Sequence, residues 1–214
     1  MPPDPDRPAE RSELVGTAIL WSVLSVCWAG LAGGASIVAG LAAASVALVG
    51  FGASSLVDGT ASVVLVWRFR HERAGTRRVE HVERTAARVL GVALLVIAAY
   101  LAVGGVLALA RGTGPDRTVF GAILAGASVC VLPVLAVRKI GLGRALGSQA
   151  LRSDGVLSGV GASLAAATLL ALVLDAAVGW WWCDAVAALA LAGVLAREAR
   201  TALTIAPHEH PPPD

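Results

Sequence analysis

The sequence predicts an all-α integral membrane protein with six transmembrane helices, on two observations. Its apolar residues form long runs that are almost free of charge, and its basic residues gather in the segments between alternate runs. About 20 consecutive apolar residues are needed to cross the hydrocarbon core of a bilayer. The chain is 57% hydrophobic and only 15% charged, which is more apolar and less charged than a soluble domain of 214 residues.

The apolar runs divide the chain into six predicted spans and two tails. The transmembrane domain is predicted to cover residues 13–203, with spans at about 14–40, 46–67, 85–110, 119–137, 148–174 and 181–200. The tails, 1–12 and 204–214, are rich in proline and polar residues, and we expect them to be disordered.

Charged segments between the runs are predicted to be loops. The segment 68–84 carries six arginines interleaved with acidic residues, which is typical of a loop in water or lipid headgroups rather than of a nucleic-acid site. Arg138, Lys139 and Arg144 are assigned to the loop between the fourth and fifth spans. Lys139 is the only lysine among 17 basic residues.

The distribution of basic residues predicts the orientation. With six spans, both tails and the two most basic loops lie on one side, and only Arg111 and Arg117 lie on the other. Because basic loops stay in the cytoplasm, both termini are predicted to be cytoplasmic. Trp180, Trp181 and Trp182 precede the sixth run on the opposite side, as an interfacial aromatic belt would. The Ala-, Val- and Arg-rich composition is typical of a GC-rich genome and indicates a bacterial inner membrane.

Ionisable residues inside the spans are the functional candidates, because burying a charge in a membrane is costly. Asp58 lies near the middle of the second run, with Ser54 and Ser62 one turn away on the same helix face. It is either functional or tied to a neighbouring helix through hydroxyl groups. Asp154 opens the fifth run with Ser158 four residues on, where a carboxylate that favours the helix dipole is an equal interpretation. Asp184 is predicted to be an N-cap or first-turn residue of the sixth helix.

Motifs for catalysis, metal binding by cysteine or histidine, and phosphate binding are weak or absent in the sequence. No enzyme activity, resident cofactor or nucleic-acid partner is therefore predicted. Cys27, Cys130 and Cys183 have no metal-binding spacing, and we interpret them as small buried apolar residues. His208 and His210 stand in the C-terminal tail, where two histidines bind a metal only weakly. No phosphate-binding loop and no pairing of a nucleophile with a base is present in the sequence.

Three segments resemble the cation diffusion facilitator family, in its short bacterial branch without a cytosolic C-terminal domain. SVALVGFGASSLVDGTASVVLVWRF (45–69) is similar to the second span of that family, and its Trp67–Arg68 pair matches the end of that span. RALGSQALRSDG (144–155) is similar to the entry to the fifth span, and WWWCDAVAALALAGVLAREAR (180–200) to the sixth. The resemblance implies a six-span bundle, a homodimer in the bilayer, and transport of a divalent cation such as zinc by alternating access, in exchange for protons.

The resemblance also implies a metal site made of two pairs of ligands, each at i and i+4. The second-span pair falls on Ser54 and Asp58. In the fifth span Asp154 matches an aspartate that precedes the ligands, and the ligand positions fall on Leu157 and Gly161, which cannot bind a metal. The candidate metal residues are therefore Asp58, Ser54 and Asp154, and a shifted register would pair Asp154 with Ser158.

Two functions follow from this degenerate site. The first is a cation efflux transporter in which Asp58 exchanges a cation for protons. One carboxylate with hydroxyl and carbonyl oxygens suits a hard or singly charged cation, or a proton. The alternative is a non-transporting membrane scaffold or partner subunit that kept the fold and lost the metal site.

Overall fold

A computed structural model describes residues 8–71, 76–116 and 118–204 of the chain. These residues form helices and short turns, and no strand occurs among them, so the all-α prediction is confirmed. The elements in chain order are α1 (Pro8–Trp28), a π-helical segment (Ala29–Gly33), α2 (Gly34–Ala42), α3 (Val46–His71), α4 (Thr76–Arg111), α5 (Val119–Ala145), α6 (Gln149–Val178) and α7 (Trp182–Thr204).

Five of these helical stretches are long and apolar enough to cross a membrane. They are Ser12–Ala42, Val46–Trp67, Arg88–Arg111, Val119–Ala145 and Ala150–Val178. Helix α7 differs because its charge-free stretch, 185–196, lies between Asp184 on one side and Arg197, Glu198 and Arg200 on the other. The sixth predicted span is therefore shorter and more polar at its ends than the other five.

Helix α3 lies at the centre of the bundle and contacts α1, α2, α4, α6 and α7. Helices α5 and α6 pack closely against each other, and α4 packs along α7. The π-helical segment approaches α3 with almost no side chain between them: a Cβ added at Gly52 would lie 2.6 Å from the carbonyl oxygen of Gly33. Small residues permit this close approach, which is typical of helix contacts in membranes.

Several predicted boundaries are wrong in the same direction, because helices continue through segments that were predicted to be irregular. The predicted tail 1–12 is helical from Pro8, since proline is tolerated in the first turn of a helix. The predicted loop 68–84 is helical up to His71 and again from Thr76. Its charges exclude it from the bilayer core, but Arg and Glu are good helix formers. Thr204 ends α7.

Some predictions fall on parts of the chain outside the described residues, namely 1–7, 72–75, Arg117 and the tail 205–214 with His208 and His210. The interpretation of the cysteines is wrong for two of them: Cys183 is buried, whereas Cys27 and Cys130 are exposed on the surface of the bundle. An apolar residue on that surface meets lipid rather than water in a membrane protein, so burial is not required.

A buried charge cluster as the candidate functional site

Lys139 lies in the interior of the bundle, which corrects its assignment to a loop. Helix α5 continues to Ala145, and its buried face includes Leu132, Leu135, Ala136 and Lys139. These positions are spaced i, i+3, i+4 and i+7, as residues on one face of a helix are. The Lys139 side chain is 0% exposed. Its neighbour Arg138 is exposed and lies over the Trp21 ring, with the guanidinium carbon 5.5 Å from the ring centroid.

Four oxygen atoms from three other helices surround the Lys139 ammonium. Asp154 Oδ2 of α6 lies 2.8 Å from Lys139 Nζ. Lys139 Nζ also donates to Ser25 Oγ of α1 at 2.8 Å, to Ser62 Oγ of α3 at 3.0 Å and to Ser158 Oγ of α6 at 3.2 Å. An ammonium has three hydrogens to donate, so these oxygens satisfy it completely. The result is an all-oxygen shell around a buried positive charge.

The Asp154 carboxylate is held from two sides. It is 4% exposed, and its Oδ1 accepts a hydrogen bond from Ser62 Oγ at 2.8 Å while its Oδ2 pairs with Lys139. Ser158, one turn further along α6, donates to the Asp154 carbonyl oxygen at 3.2 Å and faces the same ammonium. A buried ion pair keeps its stability only when further hydrogen bonds satisfy both partners, and these serines supply them.

Asp58 is the least satisfied member of the cluster. Its carboxylate faces the Ser158 hydroxyl and lies within electrostatic range of Lys139 and Asp154. Its Oδ1 is buried and has no hydrogen-bond partner among the described residues. An unpartnered carboxylate oxygen in a low-dielectric interior is energetically costly, so this position favours binding of a proton or a cation.

The formal charges of the cluster do not balance. With both carboxylates and the ammonium ionised, Asp58, Asp154 and Lys139 carry one net negative charge. Lys139 contacts Asp154 directly, so the uncompensated charge belongs to Asp58. A membrane interior disfavours such a charge by several kcal/mol, on the order of 3 or more. Binding of one proton or one monovalent cation would therefore make the cluster neutral, and Asp58 is where it would bind.

The structure brings together two of the three predicted metal residues. Asp58 and Asp154 both face Lys139. Ser54 is buried, but its hydroxyl donates to the Phe51 carbonyl oxygen at 2.9 Å, back along its own helix and away from Asp58. The expected fifth-span ligand positions, Leu157 and Gly161, are partly exposed.

On α6 the pair that faces the cluster is instead Asp154 with Ser158, both of them buried. The buried face of this helix therefore matches the shifted register, which pairs Asp154 with Ser158 and not Leu157 with Gly161. Its members contribute a carboxylate and a hydroxyl rather than the imidazole and carboxylate of a typical zinc site.

Lys139 and Ser25 are the members that the sequence reasoning missed. A signal for Lys139 was present in its helical spacing from Leu132, Leu135 and Ala136, and in its being the only lysine in an arginine-rich chain. A lysine ammonium can release its proton, whereas an arginine guanidinium stays charged, so a single lysine among arginines is chemically distinct. Ser25 had no comparable signal, because a serine in an apolar helix usually bonds its own backbone.

A second buried carboxylate lies at the far end of the bundle. Asp184 is in the first turn of α7, as predicted, but it caps a different helix. Its Oδ2 accepts from the backbone nitrogens of Val46 at 3.0 Å and Ala47 at 3.3 Å, and its Oδ1 accepts from Ser45 Oγ at 2.5 Å. These contacts satisfy the free amides at the start of α3 and join α7 to it.

Comparison of the chain with family models and with curated proteins found no match. Within the described residues, no group of three or more histidine, cysteine, aspartate or glutamate side chains is arranged to hold a metal ion.

Proposed function

We propose that this chain is a membrane transporter that exchanges a small cation for protons at the Asp58–Lys139–Asp154 cluster. The observation that carries the proposal is the buried Asp58 Oδ1 without a partner beside an ion pair that is already satisfied. Buried ionisable groups in membrane helices mark ion and proton pathways, because a purely structural role rarely offsets their cost. Asp58 is the exchange site, and Lys139 neutralises Asp154 beside it.

The charges define what the site can exchange. With Lys139 protonated, the cluster becomes neutral when Asp58 holds either one proton or one monovalent cation, so binding of the cation releases one proton. A divalent ion such as zinc gives a neutral cluster only if Lys139 also releases its proton, which makes two protons per ion. The ligands around these groups are oxygens of carboxylates and hydroxyls, which suit hard cations better than soft ones.

The resemblance to cation efflux proteins leads us to propose their topology and assembly as well. In this proposal α7 is the sixth span, since two amides of α3 and the hydroxyl of Ser45, just before α3, donate hydrogen bonds to its Asp184 carboxylate, and since α7 packs along α4. Six spans bring both termini to the basic, cytoplasmic side of a bacterial inner membrane. A homodimer in the bilayer is part of the same proposal.

Flux in proteoliposomes tests the exchange. The purified protein would be reconstituted with a pH-sensitive dye inside, and Na⁺, K⁺, Mn²⁺ or Zn²⁺ would be added outside. We expect a cation-dependent pH change that Asp58→Asn abolishes, because the amide takes up no proton and has no negative charge to exchange a proton for a cation. Asp175→Asn is the matched control, since Asp175 is a partly exposed carboxylate near the opposite end of α6. Wild-type flux in Asp58→Asn would contradict the proposal.

The charge of the cation is tested by Lys139→Arg. The guanidinium keeps the positive charge but does not release a proton. If a monovalent cation is exchanged at Asp58 alone, this variant retains flux, whereas exchange of a divalent ion for two protons is lost. Flux of a divalent ion that survives in Lys139→Arg would contradict this account of the proton count.

The alternative is a scaffold without transport, and the complete satisfaction of Lys139 by four oxygens favours it. In that case the cluster only joins α1, α3, α5 and α6. The flux experiment separates the two, because a scaffold gives no cation-dependent pH change with any cation in the panel. Titration calorimetry in detergent would also show no cation binding.

A further inference from the structure

A second set of buried polar side chains lies further along the bundle, away from the charge cluster. Ser36 of α2, Ser128 of α5 and Thr168 of α6 are each 0% exposed. None of their hydroxyls has a hydrogen-bond partner among the described residues. Their helices are neighbours, since α5 contacts both α2 and α6. We call these three residues the hydroxyl layer.

The hydroxyl layer lies at one level of the bundle. Ser36 is 11 residues from Ser25, Ser128 is 11 residues from Lys139, and Thr168 is 10 residues from Ser158. At 1.5 Å per residue, each is about 15 Å from the cluster member on its own helical stretch. All three are displaced toward the end of the bundle where Asp184 meets Ser45. The layer therefore stands between the charge cluster and that end.

Other hydroxyls on these and neighbouring helices behave differently. Ser55, Thr60 and Ser163 are partly or fully exposed, and each donates to a carbonyl oxygen one turn back on its own helix. This is the usual way in which a serine or threonine is satisfied within an apolar helix. The three buried hydroxyls do not use it. A buried hydroxyl without a partner costs about 1–3 kcal/mol, so three on adjoining helices require a common explanation.

We propose that the hydroxyl layer binds water and forms a hydrated station between the charge cluster and the Asp184 end of the bundle. Water gives each hydroxyl both a donor and an acceptor, and polar sites with several partners are where buried water is found. If the proposed function is right, this station is the route by which protons or the hydrated cation reach Asp58 from that end. The water itself does not depend on transport.

Cysteine accessibility tests the hydration directly. Ser128→Cys and Thr168→Cys would be made in a chain whose three native cysteines are replaced by alanine, and treated in proteoliposomes with a charged, membrane-impermeant methanethiosulfonate reagent. The thiolate is the reactive form and needs water, so we expect labelling at least about tenfold faster than for Ser163→Cys. Ser163 is the matched control, because it is on α6 but exposed on the outer surface of the bundle. Labelling no faster than in this control would overturn the proposal.

A second measurement tests the same proposal without cysteine substitutions, in case these disturb folding. Thr168→Val keeps the shape of the side chain and removes its hydroxyl. In a dry layer this substitution removes an unsatisfied group and stabilises the protein. In a hydrated layer it removes a partner of the bound water, and we expect the unfolding equilibrium constant in detergent to rise roughly fivefold.

A stabilised Thr168→Val would overturn the water site even if transport at Asp58 is demonstrated. Conversely, fast labelling of the layer in a protein without flux would support the water site and contradict the proposed function. The two proposals can therefore fail separately.

Discussion

Replacing Lys139 by methionine removes the ammonium that holds the candidate site together. Methionine has nearly the same length and is apolar, so the change removes the charge without opening a large cavity. It leaves the Asp154 carboxylate without the cation 2.8 Å away, and Asp58 without the nearest positive charge. Ser25 and Ser158 also lose their contacts with Nζ.

The expected cost follows from burial. Removing one partner of a buried ion pair destabilises a protein by about 3–5 kcal/mol, because the other charge stays buried and uncompensated. Asp154→Asn should cost less, about 1–3 kcal/mol, since the ammonium keeps three serine contacts and the nearby Asp58 carboxylate. The double variant Lys139→Met/Asp154→Leu should be less destabilised than Lys139→Met alone, because an apolar pair of similar volume can replace a buried ion pair at little cost.

Reversible unfolding in mixed micelles measures these differences. Sodium dodecyl sulfate would be titrated into each variant, with the fluorescence of the six tryptophans as the signal. A loss of 3–5 kcal/mol for Lys139→Met corresponds to a change of about two to four powers of ten in the unfolding equilibrium constant. The reasoning is refuted if Lys139→Met unfolds within about 1 kcal/mol of the wild type, or if Asp154→Asn is the more damaging change.

Two further predictions concern the frame around the site. Asp184→Ala removes the acceptor of two backbone amides at the start of α3, and should lower stability by about 1–2 kcal/mol, with Asp184→Asn milder because it keeps one acceptor oxygen. Thermal unfolding in detergent measures this, and equal stability of wild type and Asp184→Ala would show that the cap contributes nothing. Gly52→Ala should cost about 1–3 kcal/mol because its Cβ would lie 2.6 Å from a carbonyl oxygen of the π-helical segment. Gly34→Ala, where a Cβ meets nothing within 4 Å, should be neutral or slightly stabilising, and equal losses in both variants would contradict the contact.

The candidate site was only partly predictable. Asp58 and Asp154 stand out in the sequence because each is a charge within an apolar run, and both belong to the cluster. Lys139 stands at the boundary between an apolar run and a basic segment, so hydropathy alone assigns it to a loop. Its position becomes clear only when the helical spacing from Leu132 is continued past Arg138.

The family pattern and the buried face of the helix indicate different residues of α6. Alignment with that pattern places the fifth-span ligands at Leu157 and Gly161, whereas the buried face of α6 presents Asp154 and Ser158. A family pattern assigns ligands by their position in the sequence, but the rotation of a helix about its axis decides which of its residues face the interior of the bundle. That rotation depends on the packing of α6 against α5 and α3.

The amino-acid sequence by itself determined the helical class, the long apolar stretches and the short turns between them. These are local properties, since the bilayer length and the hydropathy of a run decide them without reference to other parts of the chain. Only the tertiary structure decided that Ser25, Ser62, Lys139 and Asp154 meet at one point. The partner of a buried charge depends on the depth and rotation of helices far apart in the chain, and those are set by the packing of the whole bundle.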